Sequence, residues 1–145
     1  MISKHTLLPY GYFIGCIFND KIDLTTGEYV LKSMGHRNPQ GLYYDAEADV
    51  IIVSEHGPSG GDEININRTP DGAPENYGWP ISSYGEHYST DPENYKKAPL
   101  HKSHADYGFV EPEKYFVPSL SPGPLVRMTD ARDPSRYVLL MGTMG

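Results

Sequence analysis

The sequence predicts an all-β chain that forms part of a β-propeller. Fifteen Gly and 13 Pro among 145 residues supply turn formers, and 12 Tyr supply aromatic side chains that favour strands. Short strand-like segments alternate with these turns, and no stretch of ten or more residues has a convincing helical periodicity. At roughly 40–50 residues for each four-stranded antiparallel blade, the chain supplies about three blades, fewer than a closed ring needs. We therefore expect part of a ring.

Strand signals succeed one another through the first half of the chain. Residues 28–33 are expected to return beside 21–24 through the turn Thr25-Thr26-Gly27. Residues 50–54 are expected to pair with 41–44 across a polar connection. These two pairs predict successive antiparallel hairpins.

The second half begins with a strand and then becomes irregular. Residues 63–67 alternate polar and apolar side chains with the period of a half-buried strand. Residues 68–111 are mostly polar and rich in Pro and Gly, which predicts long surface loops of the kind that often carry function. Three later strands are predicted, at 114–117, 125–128 and 137–141.

Charge and composition exclude some classes of protein. Twelve basic against 19 acidic residues give a net charge of −7, which disfavours a nucleic-acid partner. Cys16 is the only cysteine, so no internal disulfide is possible, and no apolar run reaches the roughly 18 residues of a membrane span. Residues 7–18 are better interpreted as containing a strand, at 11–18, than as a signal segment, because Pro9 and Gly11 interrupt them.

The first candidate binding loop is Gly35-His36-Arg37-Asn38-Pro39-Gln40-Gly41. Its two glycines and its proline force an irregular backbone between two predicted strands. Arg37 offers a rigid fork of donors for carboxylate or quinone oxygens, and Asn38 and Gln40 add carboxamide donors and acceptors. A polar turn capped by its own side chains is the alternative.

The second candidate loop follows in Ser54-Glu55-His56-Gly57-Pro58-Ser59-Gly60-Gly61-Asp62-Glu63-Ile64-Asn65. Gly57-Pro58 turns main-chain carbonyls outward, and Asp62 and Glu63 add carboxylates. Calcium binds oxygen ligands of both kinds, although the spacing is not that of an EF-hand. An ordinary hairpin turn at Gly60-Gly61-Asp62 is the alternative.

The third candidate is Asn76-Tyr77-Gly78-Trp79-Pro80, which holds the only tryptophan. Its indole ring can stack on a ligand or anchor the loop to the core, and both interpretations stay open.

Together the three motifs resemble a known family. GHRNPQG, SEHGPSGGDEIN and NYGWP, in this order and at these separations, resemble the soluble aldose sugar dehydrogenases of the glucose/sorbosone dehydrogenase family, which use pyrroloquinoline quinone (PQQ). The form EHGP-x-GGDEIN is closer to the broad-specificity aldose enzymes than to the soluble glucose dehydrogenase. The match is strongest over residues 32–84, and residues 1–145 are identified as a partial propeller domain of this family.

The resemblance implies a six-bladed propeller with PQQ lying across its top. It implies that Arg37 and Asn38 contact the quinone and that Gln40 supports their loop. His56 and Asp62 match positions that border the cofactor.

The resemblance also implies calcium. The carbonyls of Gly57 and Pro58 match the ligands of the ion that bridges to PQQ. Glu63 and Tyr77 match positions near a second, structural calcium in some members.

The implied activity is the oxidation of an aldose to a lactone. A base takes the proton of the anomeric hydroxyl while hydride passes from C1 to the quinone, and electrons then leave to an external acceptor. Arg37 is the catalytic residue expected here, because it and calcium would polarise the quinone carbonyl and stabilise the charge that develops.

The chain departs from the family pattern at the catalytic base. In the family this is a histidine on an earlier blade, whereas only His5 precedes the first motif here and its surroundings do not match. We therefore assign no base, and we expect the other candidates to be loop or capping histidines: His36, His87, His101 and His104.

Several functional interpretations follow. The leading one is a fragment or truncated relative of a PQQ-dependent aldose dehydrogenase, periplasmic or secreted by resemblance, that self-associates or needs a partner fragment to complete the ring. The alternative is a non-catalytic module that binds calcium, a sugar or a partner chain. A lactonase-type calcium propeller is disfavoured, because its ligands would come from several blades rather than one loop.

Overall fold

The computed structural model describes residues 17–88, 91–133 and 135–144. Nine strands in these ranges form three sheets, which confirms the predicted all-β class. The segment predicted as a strand at 11–18 lies largely outside the described residues. The strands are β1 (Ile17–Ile22), β2 (Tyr29–His36), β3 (Pro39–Asp45), β4 (Val50–Glu55), β5 (Asp62–Asn67), β6 (Glu75–Asn76), β7 (Lys114–Phe116), β8 (Pro122–Thr129) and β9 (Tyr137–Thr143).

The central sheet contains β3, β4, β5 and β7 in that order, all antiparallel, as in a propeller blade. Ile52 and Val53 of β4 are 0% and 2% exposed, and because successive side chains point to opposite faces, the sheet is covered on both sides. The other two sheets have three and two strands. Within the described residues, one sheet has the four strands of a blade, and the predicted count of about three blades stays a prediction.

A hairpin of β1 and β2 precedes the central sheet. The sequence predicted a strand at residues 21–24, whereas the observed strand β1 begins at Ile17 and ends at Ile22. The carboxylate of Asp23 explains this boundary, because it accepts the main-chain N–H groups of Thr25 and Thr26 at 2.8 and 3.0 Å and forms the turn.

The long connection between β5 and β7 returns to β2 through β6, which pairs parallel to it. The connection also holds a short helix, α1 (Pro92–Lys97), which the sequence analysis did not predict. Asp91 caps it by accepting the N–H of Glu93 at 3.0 Å, and Pro92 takes the first turn. No helix in the part of the chain that the structure describes is long and apolar enough to cross a membrane.

A polar cluster ties the central sheet to the β8–β9 hairpin. Asp45, buried at the end of β3, accepts the Tyr137 hydroxyl at 2.6 Å and the Arg127 guanidinium at 3.1 Å. It also accepts the main-chain N–H groups of Glu47 and Ala48. The Tyr137 hydrogen bond, followed by these N–H groups and the Arg127 charge, lowers the pKa of Asp45 despite burial.

We expect Asp45→Asn to lower the melting temperature at pH 7. Because the pKa of Asp45 is lower in the folded chain, its contribution is complete above the unfolded value of about 3.9 and is lost as the pH falls through the folded value. The difference from wild type should therefore shrink below about pH 4. Thermal melts from pH 7 to pH 3 test this, with exposed Asp49→Asn as the control. A difference that does not depend on pH would contradict it.

Candidate functional site

The three sequence motifs meet at one end of the sheets. Strand β2 continues to His36 and β3 begins at Pro39, so only two residues separate the strands and most of the motif predicted to be irregular belongs to them. Gly35 has φ +74°, and a Cβ there would lie 2.2 Å from Asn76 Oδ1, so only glycine lets the first motif approach the third this closely. A small pocket lies between the motifs, lined in part by Arg37, Glu55, His56, Gly57, Tyr77 and Trp79.

Arg37 reaches across this pocket. Its Nη1 donates to the carbonyl oxygen of His56 at 3.1 Å, and its Nη2 lies 3.4 Å from the Tyr88 hydroxyl. The guanidinium carbon is 5.4 Å from the Trp79 ring centroid and 5.6 Å from that of Tyr88. Two aromatic rings and one carbonyl thus orient a half-buried positive charge. The Trp79 ring therefore lies at the pocket, beside Arg37.

Asn38 and Gln40 lie beside Arg37. Gln40 Nε2 donates to Asn38 Oδ1 at 2.8 Å, and the Asn38 carbonyl accepts the N–H of His56 at 3.0 Å. Gln40 is exposed, and Asn38 is the residue that links it to His56 at the pocket. Their predicted contacts with a cofactor stay predictions.

The segment from Gly57 to Gly61 forms the opposite wall. A Cβ on Gly57 would lie 2.3 Å from both the Gly60 and Gly61 carbonyl oxygens, so the loop closes tightly on itself. The carbonyl oxygens of Gly57 and Pro58 accept no hydrogen bond from any described residue. Both residues are buried, and their predicted role as calcium ligands stays a prediction.

Asp62 holds this loop in place. Its Oδ1 accepts the Gly57 N–H at 3.0 Å, and its Oδ2 accepts the Ser119 hydroxyl and the N–H groups of Leu120 and Ser121 at 2.6–2.9 Å. The carboxylate is 1% exposed and has four protein donors. His56, the other residue predicted to border the cofactor, donates from Nε2 to the Pro122 carbonyl at 2.9 Å. Asp62 thus anchors the loop to the segment before β8, and His56 anchors it to the first residue of β8.

Glu63 and Tyr77 belong to a buried cluster with His104. The Tyr77 hydroxyl donates to Glu75 at 2.5 Å, and the main-chain carbonyl of Tyr77 accepts a hydrogen bond from His104 Nδ1 at 2.8 Å. Burial, and then the bond to Glu75, raises the pKa of Tyr77 far above its usual range, so its phenol stays protonated.

The carboxylate of Glu63 has longer hydrogen-bond contacts than that of Asp62. It has contacts of 3.3 Å with His104 Nε2 and with Asn65 Nδ2. Burial, reinforced by the charge of Glu55 and opposed by His104, raises the pKa of Glu63. The buried Oδ1 of Asn65 has no hydrogen-bond partner. Such a set of oxygens favours an added cation or proton.

Sequence reasoning assigned no role to Glu55, which is 3% exposed. Its Oε1 accepts His36 Nδ1 at 2.9 Å and Asn65 Nδ2 at 2.7 Å, and its Oε2 accepts the Arg37 N–H at 2.6 Å. A charged residue at the end of an apolar strand was the signal that could have identified it.

Comparisons with known proteins agree with the resemblance. The family model described as Glucose / Sorbosone dehydrogenase matches residues 19–144. This chain belongs to the glucose/sorbosone dehydrogenase family. The chain is 46% identical over 57 residues to the aldose sugar dehydrogenase YliI of Escherichia coli, covering 39% of this chain and 14% of that protein. It is 35% identical over 102 residues to an uncharacterized Synechocystis protein, slr1608, covering 70% and 22%.

Solved structures of this family have the same fold. A glucose dehydrogenase crystal structure superposes with a TM-score of 0.62 at 34% identity, covering 83% of this chain and 33% of that chain. The soluble aldose sugar dehydrogenase from E. coli in its apo-form gives 0.59 at 30%, covering 78% and 30%. This family member spans a third or less of the length of these relatives.

The donors of this glucose/sorbosone dehydrogenase chain fit calcium unequally at the two predicted positions. Among the described residues, no three His, Cys, Asp or Glu side chains form a metal-binding group. The first predicted position would rely on main-chain oxygens instead, and no donor of a described residue bonds to the Gly57 or Pro58 carbonyl. At the second, Glu63 offers a carboxylate, whereas the Tyr77 carbonyl and hydroxyl are both engaged.

The predicted non-catalytic histidines have structural contacts. His36 Nδ1 donates to Glu55 Oε1 at 2.9 Å, and its Nε2 lies 2.8 Å from the Ser33 hydroxyl and 3.1 Å from Asn19 Nδ2. His104 is 1% exposed, and bonds to Glu63 and the Tyr77 carbonyl outweigh its burial and raise its pKa.

Proposed function

We propose that this chain forms the PQQ- and calcium-binding face of a dehydrogenase that oxidises aldoses to lactones. The observation that carries the proposal is that Arg37 and two residues of the second motif, Gly57 and Gly61, line one pocket, where Arg37 donates to the His56 carbonyl. A positive charge beside hard oxygen donors suits an anionic quinone bound together with a divalent cation. The name of the E. coli relative supports an aldose as the substrate class.

In this proposal each residue has a distinct task. PQQ, when bound, supplies the oxidant for hydride at the sugar C1. Arg37 orients the quinone and stabilises the negative charge that develops on its oxygens, while Gly57 and Pro58 hold calcium through their carbonyls. Asn38, Gln40, His56 and Asp62 keep these groups in place. On the family resemblance alone, we also propose an external electron acceptor and a periplasmic or secreted location.

A titration of the purified chain with PQQ tests the proposal. We expect binding in the presence of calcium and its loss with a chelator. Replacing Arg37 by Gln should raise the dissociation constant about 10- to 100-fold, because it removes a charge-assisted hydrogen bond. The matched control is Arg68→Gln, since Arg68 is exposed and pairs with Glu113 at 2.6 Å.

Three outcomes separate the candidate functions. Calcium-dependent PQQ binding that Arg37→Gln weakens supports the dehydrogenase. Calcium binding without PQQ binding would favour the non-catalytic module. Binding of neither would reject both assignments for this chain.

A further inference from the structure

The backbone and the guanidinium of Arg37 are held by Glu55, the last residue of β4, and by His56, which follows it. The main-chain N–H of Arg37 donates to Glu55 Oε2 at 2.6 Å, and its Nη1 donates to the His56 carbonyl at 3.1 Å. The end of β4 and the residue after it therefore contact both the backbone and the guanidinium of one residue on the β2–β3 tip. A side chain fixed at both ends has little rotational freedom left.

The carboxylate of Glu55 is itself rigid. It is 3% exposed and accepts from three donors, namely His36 Nδ1, Asn65 Nδ2 and the Arg37 N–H. Those donors lie on β2, on β5 and on the tip after β2, so three segments fix its position. A hydrogen bond to a charged acceptor is stronger than one to a neutral acceptor. Glu55 is therefore suited to hold the tip.

We propose that Glu55 is a positioning residue that directs the Arg37 guanidinium into the pocket. Glu55 acts through the Arg37 backbone and does not contact a ligand. The consequence for PQQ rests on the function proposed above, whereas the consequence for the Arg37 backbone does not.

The first measurement is amide hydrogen exchange by NMR. In Glu55→Ala the Arg37 amide loses its acceptor and should exchange about 10- to 100-fold faster. In Glu55→Gln a neutral oxygen replaces a charged one, and exchange should rise about 5-fold. The control is Asp45→Asn, which removes an equally buried carboxylate at the opposite end of the β3–β4 hairpin. If Glu55→Ala fails to fold, Glu55→Gln decides the question.

The second measurement is a double-mutant cycle on PQQ affinity in calcium. If Glu55 acts through Arg37, Glu55→Gln should weaken PQQ binding in the wild-type background and change it less than 2-fold in the Arg37→Gln background. A purely structural role would give the same loss in both backgrounds and a similar loss for Asp45→Asn.

Each result decides one of the two proposals. Unchanged Arg37 exchange in the Glu55 variants, or additive effects in the cycle, would overturn the positioning role even if wild type binds PQQ. Failure of wild type to bind PQQ would reject the proposed function, and amide exchange alone would then confirm or overturn the positioning of Arg37.

Discussion

Gly61→Ala is expected to reduce the free energy of unfolding by about 2–5 kcal/mol and to abolish calcium binding. Gly61 has φ +68°, where a side chain is strained, and a Cβ there would lie 2.1 Å from the Gly85 nitrogen. The obstacle is main chain, held by paired hydrogen bonds between Ser59 and Glu86 at 2.9 and 3.0 Å. The added methyl group must therefore displace the loop that presents the Gly57 and Pro58 carbonyls.

Gly27→Ala is the matched control for this variant. Gly27 has φ +75°, yet a Cβ there meets nothing within 4 Å, so the substitution adds backbone strain without a clash. Its expected loss is only about 1–2 kcal/mol, with calcium binding retained. Urea unfolding and calorimetric calcium titration measure both quantities. Equal effects of the two substitutions would show that the close contact between Gly61 and Gly85 contributes nothing to the loss of stability or of calcium binding.

The strands were predictable where local pattern and tertiary pairing agree. Residues 63–67 alternate in sequence, and burial in β5 alternates with the same period, although the polar Glu63, Asn65 and Asn67 are the buried residues and the two isoleucines are half-buried. The turn at Thr25-Thr26-Gly27 was also predictable from the sequence. Helix α1 was missed because its six residues carry no apolar periodicity, and it begins through Asp91 and Pro92 alone. The extension of β2 to His36 depends on pairing with Ile17 across the hairpin, which no local signal reveals.

The site was predictable in its composition but not in its connections. The motifs indicated Arg37 and the Gly57-Pro58 loop, and the structure places Arg37 and Gly57 at one pocket. The contacts of Asp62 with residues 119–121 join segments almost 60 residues apart. Glu55 was missed for the same reason, since its three donors come from separate parts of the chain. Only the folded topology determines such long-range hydrogen bonds.

The isolated chain is expected to turn over an aldose about 10²- to 10⁴-fold more slowly than an enzyme with a positioned general base. None of three histidines in and around the motifs is placed to act as that base. His56 Nε2 donates to the Pro122 carbonyl, and His36 is fully buried and bonded to Glu55. His104 is also buried, with Nδ1 bonded to the Tyr77 carbonyl and Nε2 at 3.3 Å from Glu63. Arg37 can stabilise developing charge, yet it cannot accept the proton of the anomeric hydroxyl.

Added imidazole should separate a missing base from a missing cofactor. The assay contains the purified chain, PQQ, calcium, an aldose and a dye acceptor, with and without imidazole at constant pH. If PQQ is held correctly and only the base is absent, imidazole should raise the rate in wild type in proportion to its free-base concentration. Arg37→Gln should lower that imidazole-dependent rate, whereas the exposed control Arg68→Gln should not. Turnover without imidazole at ordinary enzyme rates, on the order of 10 per second, would contradict the prediction and require another base within this chain.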